Sequence, residues 1–457
     1  MKRNHKSSLI FLIILLLVIL VCLIVAAMTM EAPQPQGRET IASTETSEAS
    51  TQTEAPPTTE ETEPPIVKQS TATIGATGDI LMHDMVIQSG KQSDGTYDYH
   101  HIFEYLDDYT SALDFAVANL EVTLGGTENG REYAGYPNFN CPDAIVEALK
   151  DAGFDMLLTA NNHAYDTGNT GFHRTQQVVS DAGLLHIGTR PGTEDKTYTV
   201  QDINGIRVGM VCYTYNTGQD ADGTVSLNGI PLSNANSQLI NSFSYYRLDT
   251  FYEKLGSEVE AMTAEGAEAL VIFIHWGDEY HTTQNSTQEA IAQKLCNMGF
   301  DVIVGNHAHV PQPVELLTSE TDEGQKTLCL YSTGNAVSNI YRSNTRPPET
   351  EDGMVFSFTF AKYSDGTVVL EGAEILPIWN PRYYYRYQDT DLSVNYRLIP
   401  LDPQSDWQTA FRLNDTLLDY CNESNRRTQS IVAEGLAEAN AWYSAHQAEI
   451  EAQLGIQ

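Results

Sequence analysis

The sequence predicts an α/β fold of two packed mixed β-sheets flanked by helices, and three observations predict it. First, three segments repeat one order: amphipathic helix, glycine, short apolar strand, polar loop. They are Asp143 to Gly153 leading to Asn161, Thr175 to Gly183 leading to Leu184-Leu-His-Ile-Gly, and Thr287 to Gly299 leading to Asn306. Glycine after the last helical residue is a common stop, and helices alternating with strands imply an α/β sheet. Second, strand-like pieces stand between these units: Thr197-Tyr-Thr-Val, Ile206-Arg-Val-Gly-Met-Val-Cys-Tyr and Met354-Val-Phe-Ser-Phe-Thr-Phe. The last should pair with Val368-Val-Leu across Ser364-Asp-Gly as a hairpin. Third, five apolar runs each stop at Asp, Glu, Asn or His. They end at Gly78-Asp79, Asn119-Leu-Glu121, Asn161-Asn162-His163, His275-Trp-Gly and Asn306-His307-Ala-His309. Buried strands read as continuous aliphatic runs, and open α/β sheets bind ligands beyond the carboxyl ends of their strands.

Taken in chain order, residues 1–30 read as a cytoplasmic tail and transmembrane anchor. Lys2, Arg3 and Lys6 precede an uncharged apolar run from Leu9 to Met28, which is about the 20 residues needed to span a bilayer. The positive-inside rule puts the remainder outside the cytoplasm, so the chain reads as single-pass, with its globular part extracytoplasmic. A cleaved signal peptide would have a shorter apolar region; an uncleaved anchor is the reading. Residues 31–70 are Ser, Thr, Glu and Pro with little apolar content, a disordered tether by composition. Residues 71–392 form the main domain, and residues 393–457, with helical apolar spacing over Trp407 to Tyr420 and Ile431 to Leu454, a helical C-terminal extension.

With 25 basic and 61 acidic residues the formal net charge is -36. That excludes the basic footprint nucleic-acid binding needs. It also repels a polyanionic partner unless metal ions or a local basic patch intervene. Six cysteines, one in the apolar run and the others widely spaced, show neither a disulfide framework nor zinc-finger spacing.

The polar strand ends carry the chemistry. His307 and His309 are two apart, so in an extended segment both imidazoles would share a face and reach one metal or two. Asp79 reads either as a ligand or as a helix cap, and Glu121 as a carboxylate able to bridge two cations. Asn162 offers an oxygen suited to a borderline divalent ion, and His275 closes a fourth run. His163, adjacent to Asn162, would point elsewhere and act as an acid or transition-state stabiliser, oriented by Asp166. His83 and Asn119 are second-tier candidates.

Together these motifs, with Asp278-Glu279, Pro311-Gln312 and Tyr331-Ser-Thr-Gly-Asn335, resemble those of the CapA family over about residues 71–378. These are bacterial poly-γ-glutamate capsule synthesis proteins, whose fold is similar to calcineurin-like metallophosphoesterases. The resemblance implies a four-layer sandwich and a dinuclear centre of Mn, Zn or Fe held by Asp79, Glu121, Asn162, His275, His307 and His309. In the phosphoesterases the first motif is Asp-x-His; here it reads Asp79-Ile80-Leu81, with His83 the available substitute. Where the second motif usually supplies a bridging Asp, this chain offers Asn119 and Glu121. The implied function is metal-dependent hydrolysis in capsule or envelope polymer production, on a phosphoryl or amide electrophile. Expected partners are the membrane, an anionic polymer or phosphate-containing substrate, and other capsule-synthesis membrane proteins. The competing readings are a non-catalytic polymer-binding subunit and a general phosphoesterase.

Overall fold

The chain builds one sheet, crosses to build a second, and returns to complete the first. In this computed structural model, residues 66–218, 224–322, 324–343, 345–386 and 392–453 are described. Sheet one begins with four parallel strands: β1 (Lys68–Ile80), β2 (Phe115–Leu120), β3 (Met156–Leu158) and β4 (Leu185–Ile187). Helix α1 (Ala144–Asp151) connects β2 to β3, and α2 (Gly168–Asp181) connects β3 to β4. Sheet two follows with β5 (Tyr198–Ile203), β6 (Ile206–Tyr215), helix α3 (Leu248–Ala264), β7 (Ala269–His275), helix α4 (Ser286–Asn297), β8 (Val302–Asn306), β9 (Val314–Thr318) and β10 (Lys326–Leu330). Its order is β9-β10-β8-β7-β6-β5, with Ser242–Phe243 added to β6.

The chain then returns through β11 (Asn335–Val337), beside β1, and through β12 (Asp352–Tyr363), β13 (Val368–Trp379) and β14 (Ile399–Pro400). Sheet one reads β14-β13-β12-β1-β2-β3-β4. The hairpin expected across Ser364-Asp-Gly is the antiparallel β12/β13 pair, and Gly366 supplies its left-handed residue at φ 93°.

Alternation along the strands explains the continuous apolar runs. Val117 of β2 packs between the sheets while Ala116 and Ala118 pack under helices. In β7, Val271 and Phe273 face the other sheet while Ile272 and Ile274 face α3 and α4. Each central strand is buried on both faces, which gives four layers.

Some boundaries move. β1 begins at Lys68, so Lys68 to Ser70, assigned to the tether, belong to the sheet through pairing with Tyr363 and Lys362. α2 starts at Gly168, before its apolar periodicity becomes visible. The residues after 393 are not all helical, since β14 pairs with β13. The last helix, α5 (Asp415–Gln453), puts Val432, Ala439 and Tyr443 into the inter-sheet core. Arg427 of α5 grips the buried Asp352 with Nε and Nη2, both at 2.6 Å, a bidentate charge-assisted pair. The five described cysteines are buried and free. Among the described residues no helix is long and apolar enough to cross a membrane; the apolar run Leu9 to Met28 lies outside them.

Candidate metal centre

Strand phase delivers most of the donors. Asn119 and Glu121 continue the inward phase of Val117, His275 continues that of Phe273, and Asn162 follows Leu158 and Ala160. β1 needs its phase corrected, because Ala72, Ile74 and Ala76 face inward and simple alternation would turn Asp79 outward. Its pairing with β2 shifts register between Thr77 and Asp79, an irregularity that re-aims a side chain. Gly78 permits this. A Cβ there would lie 1.9 Å from the Gly334 carbonyl oxygen, which accepts the Asp79 N–H at 3.0 Å.

The two histidines after β8 arrive by another route. Their spacing predicts an extended segment, but His307 has φ 95° and His309 φ 57°, left-handed backbone that non-glycine residues adopt at a cost. The chain turns as soon as β8 ends. Asn335 holds that turn by donating Nδ2 to the carbonyls of His309 and Thr350, each at 3.0 Å.

The side chains converge. His309 Nδ1 lies 2.9 Å from Asp79 Oδ2, Asn119 Nδ2 donates to Asp79 Oδ1 at 2.7 Å, and the His307 N–H donates to Asp79 Oδ2 at 3.3 Å. His275 Nε2 lies 2.8 Å from Asn162 Oδ1, 3.1 Å from His307 Nδ1 and 3.3 Å from Glu121 Oε1. Two ligand groups result, Asp79/Glu121/His275 and Glu121/His307/His309, each with its donor atoms within 4.8 Å of one another. Glu121 is common to both. Every one of these residues is buried.

Glu121 decides what the cluster is for. Both its carboxylate oxygens are buried and accept no hydrogen bond, an expensive arrangement for a charge in a protein interior. Burial, and then the neighbouring Asp79 carboxylate, push its pKa well above the usual range. Burial pushes Asp79 upward too, but the His309 ring and Asn119 hold it below the ordinary value. Burial lowers His275 to about 3, and burial with the facing His275 and His309 rings lowers His307 well below normal. Neutral imidazole is the metal-binding form. A carboxylate that accepts no hydrogen bond, set beside three imidazoles, a second carboxylate and a carboxamide oxygen, is a donor set for borderline divalent ions. These residues fit two such ions.

Beside the cluster, His163 Nδ1 sits 2.7 Å from Asp166 Oδ2, which also accepts the Phe139 N–H at 2.7 Å. The carboxylate therefore fixes Nδ1 as the protonated nitrogen and leaves Nε2 for proton exchange. His83 does not join either ligand group. Its Nδ1 accepts the Asn339 N–H at 3.2 Å, its ring packs edge-on against Phe139, and burial lowers its pKa to about 4. Asn119, by contrast, lies inside the centre.

Sequence reasoning missed three supports. Asn161 donates to the Leu120 carbonyl (2.9 Å) and accepts the His163 N–H (3.1 Å), tying two strand ends together. Asn228 accepts from Asn162 Nδ2 at 3.1 Å and places its own Nδ2 3.3 Å from both His163 ring nitrogens. Tyr215 lays its ring 4.9 Å from His307. Asn161 adjoins the Asn-His motif and so left a signal. Asn228-Gly229 reads only as a turn, and Tyr215 only as the end of a strand.

Fold and site together define an α/β sandwich with a ligand cluster of the metal-dependent hydrolase type. The family model described as Bacterial capsule synthesis protein PGA_cap matches residues 73–340, and the chain belongs to that family. The "Capsule biosynthesis protein CapA" of Bacillus anthracis is 27% identical over 274 residues, 58% of this chain and 59% of that one. The "PGA biosynthesis protein CapA" of Bacillus subtilis (strain 168) is 26% identical over 271 residues, 59% of this chain and 64% of that one. The chain thus spans less than two thirds of the length of these curated relatives. A solved structure, TT1561 of Thermus thermophilus, overlays with TM-score 0.32 and 8% identity over 63% of this chain and 94% of that one, a likeness too shallow to bear on function.

Proposed function

We propose that this chain is a membrane-anchored, extracytoplasmic metal-dependent hydrolase acting in the production of an anionic envelope polymer of the poly-γ-glutamate kind. The observation that carries the reading is the buried Glu121 carboxylate, without a hydrogen-bond partner and shared by two ligand groups. Asp79, Glu121, Asn162, His275, His307 and His309 would hold the ions. A divalent pair bound there supplies Lewis-acid activation of water and of a phosphoryl or amide electrophile. Asn119 fixes the Asp79 carboxylate, and Asn161 aligns the loop bearing Asn162 and His163. His163, held at Nδ1 by Asp166, would act as the imidazolium, giving its Nε2 proton to the leaving group and returning to the neutral ring with Nδ1 still protonated. The basic start and the apolar run from Leu9 to Met28 support the anchor, and the family supports the polymer.

The test is metal content and turnover of the purified full-length protein with Mn²⁺ or Zn²⁺, on poly-γ-glutamate and on an aryl phosphodiester. Metal-dependent turnover that His307→Ala abolishes is expected. Stoichiometric metal without turnover of either substrate would overturn catalysis and leave a polymer-binding subunit.

A further inference from the structure

Cations are scarce in this chain, with 25 lysines and arginines against 61 acidic residues, yet three of them line one cavity of about 480 Å³. Arg190, Arg247 and Lys254 face it together with Asn216, Ser242 and Phe243, and no carboxylate lines it among the described residues. Arg190 donates to the Gln238 carbonyl and to Asn241 Oδ1 (3.3 Å), but its buried Nε has no acceptor. Lys254 Nζ lies 3.3 Å from Asn241 Oδ1 and 3.8 Å from Glu258 Oε1. Glu258 is shared with the Tyr213 hydroxyl at 2.8 Å. Glu258 therefore serves both Lys254 and Arg190, and Asp195 is the other acid that acts on Arg190. Burial lowers the pKa of both Arg190 and Lys254, in keeping with positive charge left partly uncompensated.

One lining residue, Ser242, is joined to the metal centre through strand pairing. Ser242 pairs with Thr214 of β6, and Thr214 pairs with His275 of β7, so two strand spacings, roughly 10 Å, separate Ser242 from His275. Tyr215 and Tyr245 neighbour the lining residues Asn216 and Ser244 in sequence, and the Tyr215 ring also faces His307. Tyr215 stacks on Tyr245 at 5.8 Å, and the Tyr245 hydroxyl accepts the Gly277 N–H at 3.0 Å, two residues beyond His275.

We infer that this cavity is an anion subsite, which holds free carboxylates of a polymer while a linkage further along the same chain lies at the metal centre. The inference rests on the proposal that an anionic polymer is the substrate, and it supplies what that proposal lacks. A chain carrying a carboxylate on every repeat is repelled by a protein of net charge -36 unless local cations receive it. Three cations lining one cavity, with the neutral polar groups of Asn216 and Ser242 also facing it, offer contacts to both the carboxylates and the amides of such a chain.

The experiment uses full-length protein in detergent with Mn²⁺ and fluorescently labelled poly-γ-glutamate of defined length, read by anisotropy. Arg247 is exposed and Lys254 partly so, and both are replaced by Gln, with Arg412→Gln as an exposed control of equal charge change. Arg247→Gln and Lys254→Gln should each bind the polymer about tenfold more weakly, the loss of one charge-assisted contact, with metal content intact and Arg412→Gln like wild type. Wild-type affinity in both variants, or an equal loss in Arg412→Gln, would overturn the subsite. So would inorganic phosphate binding tightly at the cavity of a protein that ignores the polymer. If the variants lose binding but no protein turns the polymer over, the subsite stands and the hydrolase reading falls. If turnover occurs while both variants bind normally, the hydrolase reading stands and the subsite falls.

Discussion

The two sheets bring different chemistry to one place. Sheet one and its strand ends supply acids and amides, Asp79, Asn119, Glu121 and Asn162, while sheet two supplies the imidazoles of His275, His307 and His309. The acid side is internally tied, because Asp79 receives Asn119, the His307 N–H and the His309 ring. The imidazole side is held by a strained turn that Asn335 secures from across the fold. Neither half offers a complete ligand set, so the centre exists only while the sheets are packed.

The largest contrast should come from removing one donor on each side. Asp79→Ala strands the His307 N–H, the His309 ring and the Asn119 amide; it should abolish metal binding and cost about 3–5 kcal/mol of stability, the range for breaking a buried charged network. His275→Ala should also abolish metal binding but lower the urea-derived stability by only about 1–3 kcal/mol, since Asn162 and Glu121 keep their places. Equal losses would mean that the acid side is not the internally tied half.

Next in size is the proton-transfer pair. His163→Ala should reduce kcat roughly 10²–10⁴-fold with metal content unchanged, and Asp166→Asn should act in the same direction by releasing the ring. Loss of metal in His163→Ala would move His163 into the ligand set.

The smallest effect lies at the far end of sheet two, where the Asp301 carboxylate accepts the Leu270 N–H at 2.8 Å. Burial raises its pKa from 3.8 to about 6. The fold therefore favours the protonated form, and this contribution to stability is full below the unfolded value and lost as pH rises through the folded one. Asp301→Asn keeps an acceptor oxygen, so it should gain on the order of 1 kcal/mol over wild type at neutral pH and nothing near pH 4. A pH-independent difference in urea midpoints would contradict this.

The same contrast between sheets explains what could be read from the residues alone. Strands buried on both faces announce themselves as apolar runs, so β1, β2, β3, β7 and β8 and the donors ending them were legible. The phase correction at Gly78 was not, because a register shift follows from a carbonyl on a distant loop, Gly334. The geometry of His307 and His309 was hidden for the same reason. Their spacing suits a strand, but Asn335 and the His307 contact with Asp79 hold the chain in left-handed turns. His83 sits at a plausible offset, yet Asn339 claims its Nδ1 from far along the chain. The anchor and most of the tether lie outside the described residues.

Glu121 tests the central claim most directly, through thermal unfolding of metal-stripped full-length protein with and without Mn²⁺ or Zn²⁺. Wild type should gain about 2.7 kcal/mol of stability when metal is present at a hundredfold excess over its dissociation constant. Glu121→Gln should melt higher than wild type without metal at neutral pH, being relieved of a carboxyl group whose ionisation the fold opposes, and should gain little when metal is added. A wild-type protein indifferent to both ions, or a Gln variant that responds to them as wild type does, would contradict the account.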